Sequence, residues 1–130
     1  MIAVIDASAA VDALVGGQRA NQVRRTLADC DLYAPAIIDL EVTSALARLE
    51  RAGEISPDLA RAAIDIWLDG PVTRVAPTDL AAAAFARRAY LRVADAFYVA
   101  LAQALPAPLI TTDQRLARAP LAGITVIAVS

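Results

Sequence analysis

Apolar positions along this chain fall into two patterns that alternate from one end to the other. Residues 2–6 form a short apolar run that ends on an acid, which is typical of a strand buried on both faces. Between residues 36 and 52, apolar side chains recur at helical spacing, and Gly53 provides a stop. Ser56 and Thr78 are the predicted N-caps of the fourth and fifth helices. The patterns predict strands over 2–6, 32–34, 72–75, 109–112 and 124–129, and helices over 8–15, 19–28, 36–52, 57–70, 79–91, 93–105 and 114–119.

Strands that alternate with helices predict an α/β sandwich built on a mainly parallel sheet. Ligands of such sheets bind outside the carboxyl ends of the strands, near the point where the strand order reverses. Asp6 ends the first predicted strand and Asp113 directly follows the fourth, so both lie where a ligand is expected. An aspartate after a strand is also a common helix N-cap or turn residue, so each acid alone leaves both interpretations open.

The size and composition of the chain fit one packed domain. Its 130 residues are 58% hydrophobic and 20% charged, without a linker or low-complexity tract, so we predict a single domain over residues 1–130. The apolar N-terminus lacks a basic segment and contains Asp6, so it is interpreted as a strand and not as a signal peptide. No stretch of 18 apolar residues is free of charge and proline, which predicts a cytoplasmic protein without a membrane span.

The residue types that are missing narrow the chemistry further. The chain has no His and no Lys, which excludes imidazole acid–base chemistry, Schiff bases and Walker-type phosphate binding. The single Cys30 excludes an internal disulfide and a Cys-rich zinc site. A catalytic site must therefore use carboxylates, hydroxyls, arginines and backbone groups. The net charge of −2 argues against a broadly basic nucleic-acid surface but allows a local positive patch.

The sequence pattern places no cationic residue beside four of the carboxylates. Asp95 is the only charged residue between positions 93 and 112, and Glu41 borders the apolar face of its predicted helix. A carboxylate in an apolar site is unfavourable by several kcal/mol unless it is paired or binds a metal. Four such acids favour a shared Mg²⁺ or Mn²⁺, the ions that prefer hard oxygen ligands, and four separate helix caps are the alternative. The four acids are Asp6, Glu41, Asp95 and Asp113.

Four segments carry these acids in a recognisable pattern: VIDAS at 4–8, DLEV at 39–42, ADAFYVALA at 94–102 and LITTD at 109–113. Together they closely resemble the PIN-domain family, and within it the toxin nucleases of VapBC-type toxin–antitoxin pairs. The resemblance covers essentially the whole chain in motif order, spacing and length. Its most specific part is the run at 94–102 followed by a strand that ends in Thr-x-Asp.

The resemblance implies a PIN-like three-layer α/β/α sandwich and a toxin endoribonuclease that depends on Mg²⁺ or Mn²⁺. It also implies inhibition by a small cognate VapB-type antitoxin. Ser8 and Thr111 match polar positions often found beside the family's pocket. Arg92 departs from many relatives, which have Ser or Thr three residues before the acid numbered Asp95 here, and this puts the hydrogen bonding of that acid in doubt. The family's catalytic and metal-binding quartet carries over onto Asp6, Glu41, Asp95 and Asp113.

The predicted reaction is metal-assisted hydrolysis of RNA. Metal ions held by carboxylates lower the pKa of a bound water and neutralise the scissile phosphate, so the expected product carries a 5′-phosphate. A non-catalytic PIN-like module that binds RNA or protein is the alternative, and the intact quartet argues against it. A small phosphohydrolase with Asp6 as nucleophile would need a second Asp where Ser8 stands and a Lys that the chain lacks.

Outside the quartet the chain is mildly basic, because its 12 arginines outnumber the remaining acids by two. Basic surroundings favour a phosphate backbone, and Arg92, Arg115 and Arg118 are the predicted RNA contacts. The mean hydropathy of +0.53 is high, which predicts a homodimer and a hydrophobic groove for an antitoxin segment. The crowding of four acids predicts that at least one of their pKa values is raised in the folded chain.

Overall fold

Five parallel strands form the central sheet of the computed structural model, which describes residues 1–121 and 123–130. They are β1 (Ile2–Ile5), β2 (Asp31–Pro35), β3 (Val72–Val75), β4 (Leu109–Thr111) and β5 (Val126–Ala128). Their order across the sheet is β3-β2-β1-β4-β5, and every neighbouring pair is parallel. Val4 and Ile5 of β1 and Leu109 and Ile110 of β4 are buried, as strands covered on both faces require.

Seven α-helices occur in the described part of the chain, close to the positions that apolar spacing predicts. They are α1 (Ala7–Val15), α2 (Ala20–Leu27), α3 (Ile38–Arg51), α4 (Pro57–Asp69), α5 (Ala81–Phe85), α6 (Val93–Ala104) and α7 (Gln114–Ala117). The Ser56 hydroxyl caps α4 by accepting from the Leu59 N–H (3.1 Å), as predicted. None of these helices is long and apolar enough to cross a membrane.

The predicted helix over 79–91 is wrong in both its start and its length. Pro77 begins a 3-10 turn over Pro77–Asp79, so Thr78 lies inside that turn and does not cap a helix. The preceding Ala76 is extended, which is the conformation that a following proline favours. α5 then ends at Phe85, and residues 86–90 continue as turns with hydrogen bonds between residues three apart, a tighter winding than the α-helix.

The strand order places helices on both faces of the sheet. Right-handed crossovers from β1 to β2 to β3 put α1–α4 on one face, and the crossovers to β4 and β5 run the opposite way and put α5–α7 on the other. α1 packs against α3 and α4, while α6 packs against α5, β1 and β2. The predicted three-layer α/β/α sandwich is confirmed. Because the order reverses between β1 and β4, the carboxyl ends of these two strands are where a ligand is expected.

Candidate active site

Asp6 lies directly after β1, at the switch point, the place between β1 and β4 where the strand order reverses. It is only 4% exposed. Its backbone N–H donates to the Ile110 carbonyl of β4 (3.1 Å). Its Oδ1 caps α1 by accepting from the Ala9 N–H (3.0 Å) and also accepts from the Ser8 hydroxyl (2.7 Å). Its Oδ2 accepts from the Thr111 hydroxyl. Asp6 is therefore a helix cap and a buried candidate ligand at the same time.

Burial raises the pKa of Asp6 from 3.8 to about 6, against its hydrogen bonds, which favour the ionised form. The negative charge of Asp113 raises it slightly further. The prediction of a raised carboxyl pKa is confirmed, although desolvation contributes more than the neighbouring acid does. A carboxylate in this position would be stabilised by a cation, and such perturbed groups are typical of functional sites.

Ser8 and Thr111 join the ends of β1 and β4 around Asp6. Ser8 Oγ accepts from the Thr112 N–H (3.1 Å) and lies 3.2 Å from Thr111 Oγ1. Thr111 Oγ1 accepts from the Asp113 N–H (2.9 Å), so one hydroxyl contacts the acids that follow both strands. These contacts fix the positions of the two acids relative to each other.

Asp113 caps the short helix α7 and is half-buried. Its Oδ1 accepts from the N–H groups of Arg115 (2.9 Å) and Leu116 (3.3 Å). Its Oδ2 accepts from Arg115 Nη2 (3.0 Å). The cap therefore uses one carboxylate oxygen, and the other faces a guanidinium.

Glu41 reaches the site from α3 and is held by the phenol of Tyr98, which donates to Glu41 Oε1 (2.6 Å). Tyr98 is buried, and burial together with the charges of Glu41, Asp6 and Asp95 raises its phenol pKa far above the ordinary value. The phenol therefore lies among three of the four acids. The sequence interpretation missed this role of Tyr98; the available signal was its position one helical turn after Asp95.

Asp95 is paired with two arginines, so the interpretation that it has no cationic neighbour is wrong. Its Oδ2 accepts from Arg92 Nε (3.2 Å) and from Arg115 Nη2 (2.9 Å). Arg92 precedes α6 in an extended conformation, and its side chain reaches the acid three residues later. Arg115 comes from α7, and only the folded sheet brings it to α6. Asp95 itself is 8% exposed.

Contacts join the four sequence-predicted acids in two groups at one end of the sheet. Glu41 is bonded to Tyr98. Asp95 is linked through Arg115 to Asp113, which shares the Thr111 hydroxyl with Asp6. The charges of Asp6 and Asp95 act on the Tyr98 phenol and relate the two groups. Within residues 1–121 and 123–130, no three acids stand close enough to hold one ion together. The donor set still fits a hard divalent cation, because it consists of carboxylate and hydroxyl oxygens.

A groove of about 890 Å³ opens beside Ser8 and Glu41, between α1 and α3. Arg19 and Arg48 supply positive charge along it. Of the four acids, Glu41 lines the groove, and the acids Asp12 and Glu54 line it as well. Its lining is therefore mixed, and the prediction of a hydrophobic groove for an antitoxin segment stays a prediction. Its apolar side chains include Val11, Val15, Leu40, Ala45 and Leu49.

The sequence profile of the PIN domain matches residues 3–121. The chain belongs to the PIN-domain family. This PIN domain is 46% identical to Ribonuclease VapC3 of Mycobacterium tuberculosis over 117 residues, which cover 89% of this chain and 85% of that protein. It is 42% identical over 120 residues to Ribonuclease VapC1 of the same organism, with 90% of each chain covered.

Solved structures of similar fold include a toxin–antitoxin complex from Klebsiella pneumoniae, with a TM-score of 0.67 and 21% identity. That likeness covers 97% of this PIN domain and 96% of the matched chain. VapC20 of Mycobacterium tuberculosis, described as a toxin that cleaves the sarcin–ricin loop, has a TM-score of 0.64 at 19% identity, with 93% and 98% covered. At these identities the likeness establishes a shared fold.

Proposed function

We propose that this PIN domain is a metal-dependent endoribonuclease and the toxin of a type II toxin–antitoxin pair. The observation that carries the proposal is Asp6, a buried carboxylate at the switch point, which shares the Thr111 hydroxyl with Asp113 of the neighbouring strand end. Relatives named as ribonucleases match over about nine-tenths of the chain. Because the family match spans residues 3–121, we propose that the chain works as one domain. We also propose that it acts in the cytoplasm, where its RNA substrate is found.

The proposed catalytic and metal-binding residues would hold Mg²⁺ or Mn²⁺, which when bound lowers the pKa of a water and neutralises phosphate charge. Around them, Ser8 and Thr111 keep Asp6 in one orientation by hydrogen bonds to its two oxygens. Tyr98 orients Glu41 in the same way. Replacing a hydrogen-bond partner of this kind typically lowers metal affinity or activity by about 10- to 100-fold. The proposed residues are Asp6, Glu41, Asp95 and Asp113.

Arg92, Arg115 and Arg118 are the proposed RNA contacts. The side chains of Arg92 and Arg115 are 70% and 51% exposed although both pair with Asp95, so they border the acids on the solvent side. Arg118 is exposed at the end of α7, one helical turn after Arg115. Positive groups in these places would offset the repulsion between an acidic site and a phosphate backbone.

We further propose that a VapB-type antitoxin segment binds the groove beside Ser8 and Glu41, because an occupant there would block access to the acids. Homodimer formation is proposed from large apolar side chains that lie exposed outside the groove. Burying such side chains between two copies would remove them from water. They include Ile66 (61% exposed), Leu68 (61%) and Phe85 (60%).

Incubation of the purified chain with structured RNA and Mn²⁺, with and without chelator, tests the proposed activity. We expect cleavage that stops when the metal is removed and products that carry a 5′-phosphate. Asp6→Asn is the inactive control, since it preserves shape but removes a charge. RNA binding without any cleavage would favour the non-catalytic binding module and refute the proposed enzyme.

The proposed partners are tested by co-expression with the cognate antitoxin and by sedimentation of the chain alone. Leu49→Glu should weaken capture of the antitoxin because it places a charge in the groove. Leu59→Glu, at a leucine that is already 37% exposed, is the matched control. Equal capture by both variants would exclude the groove as the docking site. A chain that sediments as a monomer at high micromolar concentration would refute the homodimer.

A further inference from the structure

Arg115 bridges two of the four acids through a single nitrogen. Its Nη2 donates to Asp95 Oδ2 (2.9 Å) and to Asp113 Oδ2 (3.0 Å). Arg92 Nε donates to the same Asp95 oxygen (3.2 Å). Hydrogen bonds between a guanidinium and carboxylates are charge-assisted and stronger than neutral ones. One carboxylate oxygen of each acid is therefore already occupied by positive charge.

We infer that Arg115 is a displaceable counter-ion, which takes the place of the divalent cation between Asp95 and Asp113 and leaves when that ion binds. The inference rests on the proposed metal-dependent function and deepens it, because it names the residue that sets the affinity for the ion.

Burial differs sharply between the arginine and the acids that it joins. The side chain of Arg115 is 51% exposed, whereas the side chains of Asp95 and Asp113 are 11% and 28% exposed. Asp113 remains anchored without the arginine, because its Oδ1 accepts from two N–H groups of α7. Asp95 keeps its hydrogen bond from Arg92 Nε (3.2 Å) when Arg115 leaves. The half-exposed arginine can therefore swing into solvent while each acid keeps one other partner.

The bridge also explains how Asp95 and Asp113 remain close to each other. Carboxylates that share a partly dehydrated site repel one another, and the repulsion strengthens as the local dielectric constant falls. One guanidinium between the two offsets part of this repulsion. The same positive charge must then compete with an incoming divalent cation, so the arginine lowers the affinity for the ion.

Titration calorimetry with Mn²⁺ on the metal-free full chain tests this competition without measuring cleavage. Arg115→Gln should bind Mn²⁺ about two- to fivefold more tightly than wild type, as expected when a competing ion pair of this exposure is removed. Arg115→Lys keeps the charge and should fall between the two. Arg118→Gln removes the same charge one helical turn away, from a residue that contacts none of the four acids in the described structure, and should match wild type.

The results separate this inference from the proposed function. Tighter binding by Arg115→Gln alone supports the displaceable counter-ion. Equal or weaker binding by Arg115→Gln, with Asp6→Asn still abolishing Mn²⁺ binding, overturns the counter-ion and leaves the metal site in place. If wild type itself does not bind Mn²⁺, the proposed metal dependence fails and the inference fails with it. A gain shared equally by Arg118→Gln would show only a general effect of charge and would also overturn it.

Discussion

Replacing Asp6 with Asn tests whether the fold holds a buried carboxylate at the expense of its own stability. The new amide oxygen can still accept from the Ala9 N–H and the Ser8 hydroxyl. The amide nitrogen would face the Thr111 hydroxyl, which can accept as well as donate. The substitution therefore removes the charge and keeps the packing. We expect a variant that is inactive but more stable than wild type at neutral pH in chelator.

The expected gain follows from the pKa of Asp6, which is about 6 in the folded chain against an ordinary value of 3.8. Below pH 3.8 the carboxyl is protonated in both the folded and the unfolded chain, and it has no effect on stability. Between the two pKa values the unfolded chain releases its proton first, so the stability of wild type falls as the pH rises. Above the folded pKa the loss is constant at about 3 kcal/mol, or about 10 °C in Tm for a chain of this length.

Urea unfolding of wild type and Asp6→Asn in chelator, from about pH 3.5 to about pH 7.5, measures this difference directly. The advantage of the variant should grow between the two pKa values, 3.8 and about 6, and then level off. Asp12→Asn is the matched control, because Asp12 lies on the same helix but is 32% exposed and pairs with Arg19 (3.6 Å). Mn²⁺ at neutral pH should stabilise wild type more than Asp6→Asn. A stability difference that does not change with pH would refute the argument.

Three further substitutions separate activity from stability. Tyr98→Phe removes the donor to Glu41 and should lower the RNA cleavage rate by about tenfold or more with little change in Tm. Thr111→Val removes a hydrogen bond that favours ionised Asp6, so an NMR titration should find the pKa of that carboxyl above about 6. Asp39→Asn breaks the ion pair with Arg74 (2.9 Å), which holds the pKa of Asp39 below 3.8. The free energy of unfolding of this variant should be lower by about 1 kcal/mol at neutral pH and by less at acid pH, with RNA cleavage unchanged. An unchanged free energy of unfolding would contradict a stabilising role of this ion pair.

Local patterns determined most of the fold. The apolar runs at β1 and β4 and the helical spacing in α3 and α6 depend on contacts that repeat every two to four residues. Such patterns are visible in the sequence because each side chain must face the core at a regular interval. The pattern failed between residues 77 and 90, where Pro77 starts a 3-10 turn and an alanine-rich segment winds too tightly to continue as an α-helix. Alanine spacing indicates a helix there but does not specify how far it extends.

The four acids could be named from the sequence, because each lies at a strand end or in an apolar stretch that leaves a charge conspicuous. Their partners could not be named in the same way. Glu41 and Tyr98 are 57 residues apart, and Asp95 and Arg115 are 20 apart on separate helices. These pairs meet only because the strand order brings β1 and β4 side by side and gathers the ends of three helices around them. The sequence therefore determined which acids are the candidate catalytic groups. The tertiary structure decided which charges and hydrogen bonds hold them, since those contacts join segments with no local relation.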